Sequence, residues 1–492
     1  MNRNSDEFSE LRRTIHRQMG GTDKVRALRI AGRRTARDVI DALCDAGSFT
    51  EIGTFAGMHA GAPATAAGDG RITGQATIAG HPIGIIVDDI TVKRASSTAV
   101  NARKAERVVH IAKQTGTPLL FIGEAGGARL PETLRGENFA SEPIYPWLLD
   151  DDRPALIAAI VGDSYGGSSF VAALADVCVM LRGAVMALTS PAVVAMATGA
   201  QVTADQLGGA DVLASKTDVV DVVVDDSAEL DRVLKALVGM FADPRAPLVK
   251  TNANRPAAEI VDLVAADHSV AYDVRPVIGA IVDVDSFIEL GASRGRSVVT
   301  GLARIDGHVV GIVASQPAHE AGAMSPTACQ KIERLTRLCD RHSIPMVALV
   351  DTPGFQIGVD VEHAGMLRRS MELIQVNTSA HCPVITVILR KAFGLAFFAM
   401  FSPDHGGDVV LAWPDARIGF MDPMTAASVL HGEAVAGLTA DQRRQRLADH
   451  ATALGATNRA IDVAAAMGID EIIDPPDTVS TIRRYLNLLT TR

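Results

Sequence analysis

The chain has 492 residues, of which 48% are hydrophobic and 21% charged, the composition of a folded globular protein long enough for two or more domains. Its formal charge is -10, with Lys and Arg scattered along its length, so a nucleic-acid backbone finds no basic footprint. The opening MNRNSDEFSELRR has no apolar leader core and no apolar run is long enough to cross a bilayer, so a cytoplasmic protein with no membrane partner is expected.

The first patterned segment, ITGQATIAGHPIGI (72–85), returns as VTGLARIDGHVVGI (299–312), an offset of 227 residues (299 − 72). From Thr73 to Ile85 the Thr, Gly, Ala, Ile, Gly, His, Gly and Ile positions are identical. The same offset carries Lys104, Glu106 and Arg107 onto Lys331, Glu333 and Arg334, Pro118 onto Pro345, and Gly127 onto Gly354. One offset kept over fifty residues is duplication, and a period this long means two similar domains rather than a solenoid. The boundary is placed near residue 250, in PRAPLVKTNANRP, dividing the chain into 1–250 and 251–492.

Each half begins with two alternating strands joined at a Gly, which predicts a hairpin. An amphipathic helix follows, with Val108, Ile111 and Ala112 on one face of NARKAERVVHIAKQT and Ile332, Leu335 and Cys339 on one face of CQKIERLTRLCDRH. Lys104 and Lys331 are expected on the solvated faces of these helices. A buried strand (PLLFIG, PMVALVD), a Gly-containing loop, a second strand (ALIAAIV, VITVILR), another Gly-containing turn and an apolar helix complete the unit. This ββα rhythm predicts α/β domains with functional loops at strand ends.

Four such loops stand out: GEAGGARL (123–130), GDSYGGSSF (162–170), VDTPGF (350–355) and RKAFGLAFF (390–398). Small residues there let main-chain N–H groups at a helix start face an oxyanion, a chemical use for Gly166 and Gly167; the plainer use of such glycines is positive φ or close packing. Residues 162–166 also fit the G-x-S-x-G nucleophile elbow, with Asp351 and His381 following Ser164 in hydrolase order. Against that reading, aligning the halves with a two-residue gap puts Phe393 in place of Ser164. The five cysteines (Cys44, Cys178, Cys329, Cys339, Cys382) form no C-x-x-C pair and are expected as core residues. The thirteen histidines include no H-E-x-x-H, so no metal is expected; His81 and His308 are expected to flank turns. Walker and G-x-G-x-x-G loops are absent from strand–helix junctions.

In these blocks, and in TARDVIDALCDAGSFTEIG (35–53), VEHAGMLRRSMELI (361–374) and GGDVVLAWPDARIGFMD (406–422), the chain resembles the carboxyltransferase (β) subunits of biotin-dependent acyl-CoA carboxylases. The resemblance runs over nearly the whole chain. It implies duplicated crotonase-like (ClpP/crotonase) α/β domains of ββα units, the N-terminal one on the acyl-CoA side and the C-terminal one on the biotin side. It implies transfer of a carboxyl group between carboxybiotin and the α-carbon of an acyl-CoA, with two negative oxygens sheltered by main-chain donors: Gly166 and Gly167 for the thioester, Leu395 and Ala396 for biotin. Gly126, Gly127, Ala128 and Arg129 are implied to shape the acyl-CoA side, with Arg129 open to a purely structural ion pair, and Gly394, Phe397 and Phe398 the biotin side or acyl specificity. The chain lacks a biotinylated-lysine setting. The resemblance therefore implies a separate biotin carboxylase and carrier α-subunit, and a homo-hexamer built as a trimer of dimers.

The chain departs from the family where K-A-Y-G-G-A-Y-D becomes Lys391-Ala-Phe-Gly-Leu395-Ala-Phe-Phe398, and where Gly-Gly-Ser becomes Lys93-Arg94-Ala95-Ser96-Ser97. Phe398 in place of an acidic residue implies a more apolar acyl pocket, though Phe397 and Phe398 equally suit a core. Leu395 can serve only if its backbone does not demand glycine. Decarboxylation of a carboxyacyl-CoA and a non-catalytic scaffold are the alternatives these departures leave.

Overall fold

A computed structural model describes residues 3–58, 63–130, 132–136, 145–245 and 259–490. Two compact units divide at Met1–Pro244 and Arg245–Arg492. The boundary expected near residue 250 lies outside the described residues.

In the first unit the strands are β1 (Thr50–Ile52), β2 (Arg71–Ile78), β3 (His81–Asp88), β4 (Leu119–Gly126), β5 (Leu156–Tyr165), β6 (Val177–Leu181), β7 (Val185–Ala187) and β8 (Val222–Val224). They form a sheet in the order β1-β2-β3-β4-β5-β6-β8, with β7 beside β5. β2 and β3 make the predicted antiparallel hairpin, turning between Ile78 and His81, and from β3 onward the neighbours run parallel. The second unit repeats this with β9 (Ile288–Leu290), β10 (Val298–Ile305), β11 (His308–Ser315), β12 (Met346–Thr352), β13 (Val384–Phe393), β14 (Val409–Ala412), β15 (Arg417–Gly419) and β16 (Glu471–Ile472), ordered β9-β10-β11-β12-β13-β14-β16 with β15 beside β13. These mixed sheets are the duplicated α/β architecture that the repeat predicts.

Helix α1 (Ala99–Thr115) starts at a capping box of Thr98 and Asn101 and stops at Gly116 in the left-handed region. It packs so closely on the sheet that a Cβ at Gly84 would sit 2.9 Å from both Val108 and Leu119 side chains. Val108, Ala112, Phe121 and Ile160 belong to the core beneath it. Its repeat mate, α3 (Pro326–Arg341), is capped by Ser325 and carries Pro at its first position.

Lys104 and Lys331 are not on solvated faces. Both are buried, at 5% and 3% exposure, and their Nζ atoms donate to main-chain carbonyls: Gly68 (2.9 Å) and Arg71 for Lys104, Val298 (2.8 Å) and Arg294 (3.3 Å) for Lys331. Each lysine ties its helix to the chain entering the hairpin. Burial pushes both ammonium groups down to about 8.

Of the cysteines, Cys178, Cys329, Cys339 and Cys382 are buried, Cys44 is half-buried, and all are free thiols. His81 and His308 open β3 and β11 directly after the hairpin turns.

Candidate functional site

In the first unit, two loops at the parallel ends of β4 and β5 meet. Gly126 is paired with Tyr165 across the two strands, and Gly127 follows with φ +96°. Its carbonyl accepts from Ser97 N at 2.9 Å. Gly166, the residue after β5, has φ +66° and ψ −126°, a conformation closed to residues with a Cβ. Gly167 then opens the short helix α2 (Gly167–Ala173). A Cβ on Gly166 would lie 3.6 Å from Gly127 Cα, and one on Gly167 would lie 2.9 Å from both Ser97 Oγ and Tyr145 Oη. Gly166 is required by its backbone and Gly167 by its neighbours.

The loop around Gly127 is held by Arg129. Its buried guanidinium donates to Ser96 Oγ (3.0 Å), Ser96 O (3.1 Å) and the Asp69 carboxylate, which also accepts from Thr98. Arg129 is thus committed to its own chain. α2 is fixed from below through Ser168, which donates to Asp88; that carboxylate is buried against Arg71 Nε at 2.9 Å. Burial pushes the Asp88 carboxyl up against the pull of Arg71.

Beside these loops lies a cavity of about 500 Å³, lined by Arg33, Arg94, Glu124, Gly162, Asp163 and Arg182 among others. Arg33 is ion-paired with Glu124, whose carboxyl is raised by burial against the pull of Arg33. Sequence reasoning passed over Arg33, Glu124 and Tyr145; the repeat signals one of them, since Glu124 falls on Asp351 at the offset of 227.

The second unit rebuilds the same turn. Gly354 (φ +131°) accepts from Met324 N at 3.0 Å, as Gly127 accepts from Ser97. Gly394 has φ +64° and ψ −155°, and Leu395 opens the helix α4 (Leu395–Ala399). The positive φ falls on Gly394, so Leu395 sits on ordinary helical backbone, and its side chain is 41% exposed. Ala396 is buried. Phe398 is not a core aromatic: it is 39% exposed, with its ring 5.3 Å from Phe397 and 5.0 Å from His405.

The turns also correct the alignment of the halves. Ala125 pairs with Ser164, and Thr352 with Ala392, so the gap is one residue and Ser164 corresponds to Ala392, not Phe393. The hydrolase reading fails on burial. Ser164 is 0% exposed and its Oγ has no hydrogen-bond partner among the described residues. Asp351 is bound to Arg390 at 2.7 Å, while His381 is an exposed side chain beside Asp340. No group of three or more metal-ligating side chains occurs among the described residues, and no helix there is long and apolar enough to cross a membrane.

Two α/β units, each with a glycine turn followed at once by a helix start at an equivalent strand end, define a duplicated protein of the crotonase-like fold class. The carboxyl transferase domain family matches residues 28–492. The methylmalonyl-CoA carboxyltransferase 12S subunit of Propionibacterium freudenreichii subsp. shermanii is 33% identical over 501 aligned residues, covering 99% of this chain and 94% of that one. The methylmalonyl-CoA decarboxylase subunit alpha of Veillonella parvula is 32% identical, covering 84% of this chain and 83% of that one. Among solved structures, the transcarboxylase 12S hexamer with methylmalonyl-CoA and methylmalonic acid bound superposes with a TM-score of 0.89 at 32% identity, covering 99% of this chain and 95% of that one. The chain belongs to the carboxyl transferase family and is a carboxyltransferase subunit of the biotin-dependent acyl-CoA carboxylase type, acting in carboxyl transfer on acyl-CoA.

Proposed function

We propose that the chain moves a carboxyl group between carboxybiotin, held on a separate carrier protein, and the α-carbon of an acyl-CoA. The observation that supports this most strongly is the repeated glycine turn, Gly166 in one unit and Gly394 in the other, each followed at once by a helix start. The first N–H groups of a helix have no intrahelical acceptor. In the first half, 1–250, the N–H groups of Gly166 and Gly167 hold the thioester oxygen as it gains charge in the enolate. Gly126, Gly127 and Ala128 shape the same side, and Arg129 positions them through Ser96 and Asp69.

In the second half, 251–492, the N–H groups of Leu395 and Ala396 face the ureido oxygen of biotin. The residues fit such a group: Leu395 lies on helical backbone with an exposed side chain, and Ala396 adds only a methyl. Biotin supplies the activated carboxyl group; this chain supplies fixed donors and a shaped acyl site, where loss of one such donor costs roughly 3–4 kcal/mol. Phe397 and Phe398, beside Gly394, set the acyl or biotin fit. The partners are a biotin carboxylase and carrier α-subunit and further copies of this chain, as a cytoplasmic homo-hexamer arranged as a trimer of dimers. No metal takes part in this scheme.

The reverse direction, decarboxylation of a carboxyacyl-CoA, is favoured by the likeness to a protein named as a methylmalonyl-CoA decarboxylase subunit. Incubating the protein with carboxylated carrier and acyl-CoA, or with free carrier and carboxyacyl-CoA, tests both directions. A carboxylated thioester in the first mixture supports transfer; loss of CO2 confined to the second supports decarboxylation.

A further inference from the structure

The turn that lies beside the Gly127 loop carries a residue that the fold does not ask for. Lys93, Arg94 and Ala95 have φ of +47°, +55° and +51°, a left-handed turn made without glycine. The second unit makes the same turn with Glu320, Ala321 and Gly322 at +51°, +54° and +79°. The left-handed path therefore belongs to the duplicated fold, whereas the arginine belongs to the first unit alone. Left-handed backbone is costly for a residue with a Cβ and persists where the surrounding structure imposes it, so the fold fixes the point from which the Arg94 side chain starts.

Arg94 is exposed, and its side chain lies along Gly126: a Cβ there would be 3.1 Å from Arg94 Nε and 3.2 Å from Arg94 Cβ. It lines the 500 Å³ cavity together with Arg33 and Arg182. Arg33 is committed to Glu124, and Arg182 to Asp211 and Asp225. Arg94 makes no ion pair among the described residues.

The duplication also accounts for the cavity. In the second unit Asp351, the mate of Glu124, is met by Arg390, whose guanidinium further donates to the carbonyls of Ala265, Asp267 and Val270 and stacks over Tyr272. With the one-residue gap, the mate of Arg390 is Gly162. Where the second unit sends Arg390 from the strand itself, the first has Gly162 and meets Glu124 with Arg33 instead, and of the described cationic residues lining the cavity Arg94 alone makes no ion pair.

We infer that Arg94 is a specificity-determining residue that binds an anionic group at the far end of the acyl chain, so that the preferred substrates are acyl-CoAs bearing a distal carboxylate. This rests on the assignment of Gly166 and Gly167 to the thioester. Gly126 neighbours Tyr165 on the adjacent strand, and adjacent strands are about 4.8 Å apart, so Arg94 stands roughly one strand from that turn. A short acyl chain spans that distance, whereas the phosphates of CoA sit beyond the pantetheine arm. A planar guanidinium suits a carboxylate bound through two parallel hydrogen bonds.

The test uses the full chain with its carboxylated carrier and acyl-CoA pairs matched in length, glutaryl-CoA against pentanoyl-CoA, in wild type and Arg94→Gly. Calorimetric binding of the same thioesters is measured in parallel. Wild type is expected to favour the distal carboxylate at least tenfold in kcat/KM, chiefly through KM. Arg94→Gly is expected to erase that preference while raising Tm by about 2–4 °C as the strain is relieved. Transfer to both thioesters without preference overturns the inference and leaves the carboxyltransferase reading intact. An equal loss on both thioesters in the variant, absent with N-acetylcysteamine thioesters that lack phosphate, assigns Arg94 to a CoA phosphate and also overturns it. Arg94-dependent preference in binding without turnover sustains the inference and counts against the catalytic reading.

Discussion

At Gly394 and Leu395 the backbone separates two demands that the sequence motif runs together. The residue that must be glycine is the one in the positive-φ turn, and the next residue, which opens the helix, is free to carry a side chain. In the first unit both are glycine, the second because Ser97 and Tyr145 crowd it. Gly166→Ala should therefore cost about 1–3 kcal/mol of stability through strain and reduce kcat about 10²–10³-fold, read by urea denaturation and steady-state transfer. A destabilised variant with unchanged kcat would deny Gly166 its role in presenting the donors. Phe398→Asp should shift the kcat/KM ratio between acyl-CoAs, because this ring is exposed beside the turn; an unaltered ratio would remove it from substrate recognition.

Glu51, on β1, shows how the N-terminal segment is fastened to the sheet. Burial raises its carboxyl, but the close approach of His16 (3.0 Å) and hydrogen bonds from Arg37 (3.0 and 3.2 Å) outweigh that and hold it down at about 2. A depressed folded-state value stabilises above the unfolded value of 4.5 and is lost as pH falls toward 2. Glu51→Gln should cost up to about 3 kcal/mol at pH 7, and the gap should narrow by roughly half at pH 3, measured by denaturant unfolding. A gap independent of pH would mean that packing, not charge, holds the segment.

Among the elements, the hairpins and the helices after them were legible because their signals are local: alternation about a Gly, and an apolar face recurring at helical spacing. Lys104 and Lys331 were misread for the opposite reason. Their partners are carbonyls more than thirty residues away in sequence, and nothing in the helix itself marks a lysine as satisfied by distant backbone. Both have folded-state values depressed by burial to about 8 from 10.5, so the stabilisation lost at low pH returns as pH rises from 8 toward 10.5. Wild type should gain stability over Lys104→Met or Lys331→Met across that window, by up to about 3 kcal/mol for each lysine. A constant difference between wild type and variant from pH 8 to 10 would mean that the lysines titrate as exposed groups do.

For the molecule as a whole, the duplication carried most of what could be read. It predicted two similar α/β units, and the matching glycine loops led to a pair of main-chain turns that the structure places at equivalent strand ends. The family resemblance, which rests on ordered blocks rather than on one loop, supplied the chemistry. The cavity at Gly162 was not legible, because it exists through an absent side chain and through Arg33, which reaches Glu124 from ninety-one residues away. The one-residue gap was missed because Gly-rich turns align equally well in neighbouring registers, and only strand pairing fixes which residue precedes the turn.

Exposed apolar side chains, among them Met196, Leu188, Phe420 and Val429, are at least 71% accessible in the single chain. Such surfaces suit burial against further copies or partner chains. Sedimentation of the purified protein should therefore give a hexamer, and a monomer at micromolar concentration would count against the proposed assembly.

The most direct test of the central claim is mass spectrometry of acyl-CoAs incubated with the protein and a carboxylated biotin carrier, with Gly166→Ala alongside. Carboxyl transfer to or from a thioester in wild type, lost in the variant, is the predicted result. Thioester binding in the presence of carrier, with no mass change on any acyl-CoA or carboxyacyl-CoA, would contradict the account and leave the chain a scaffold.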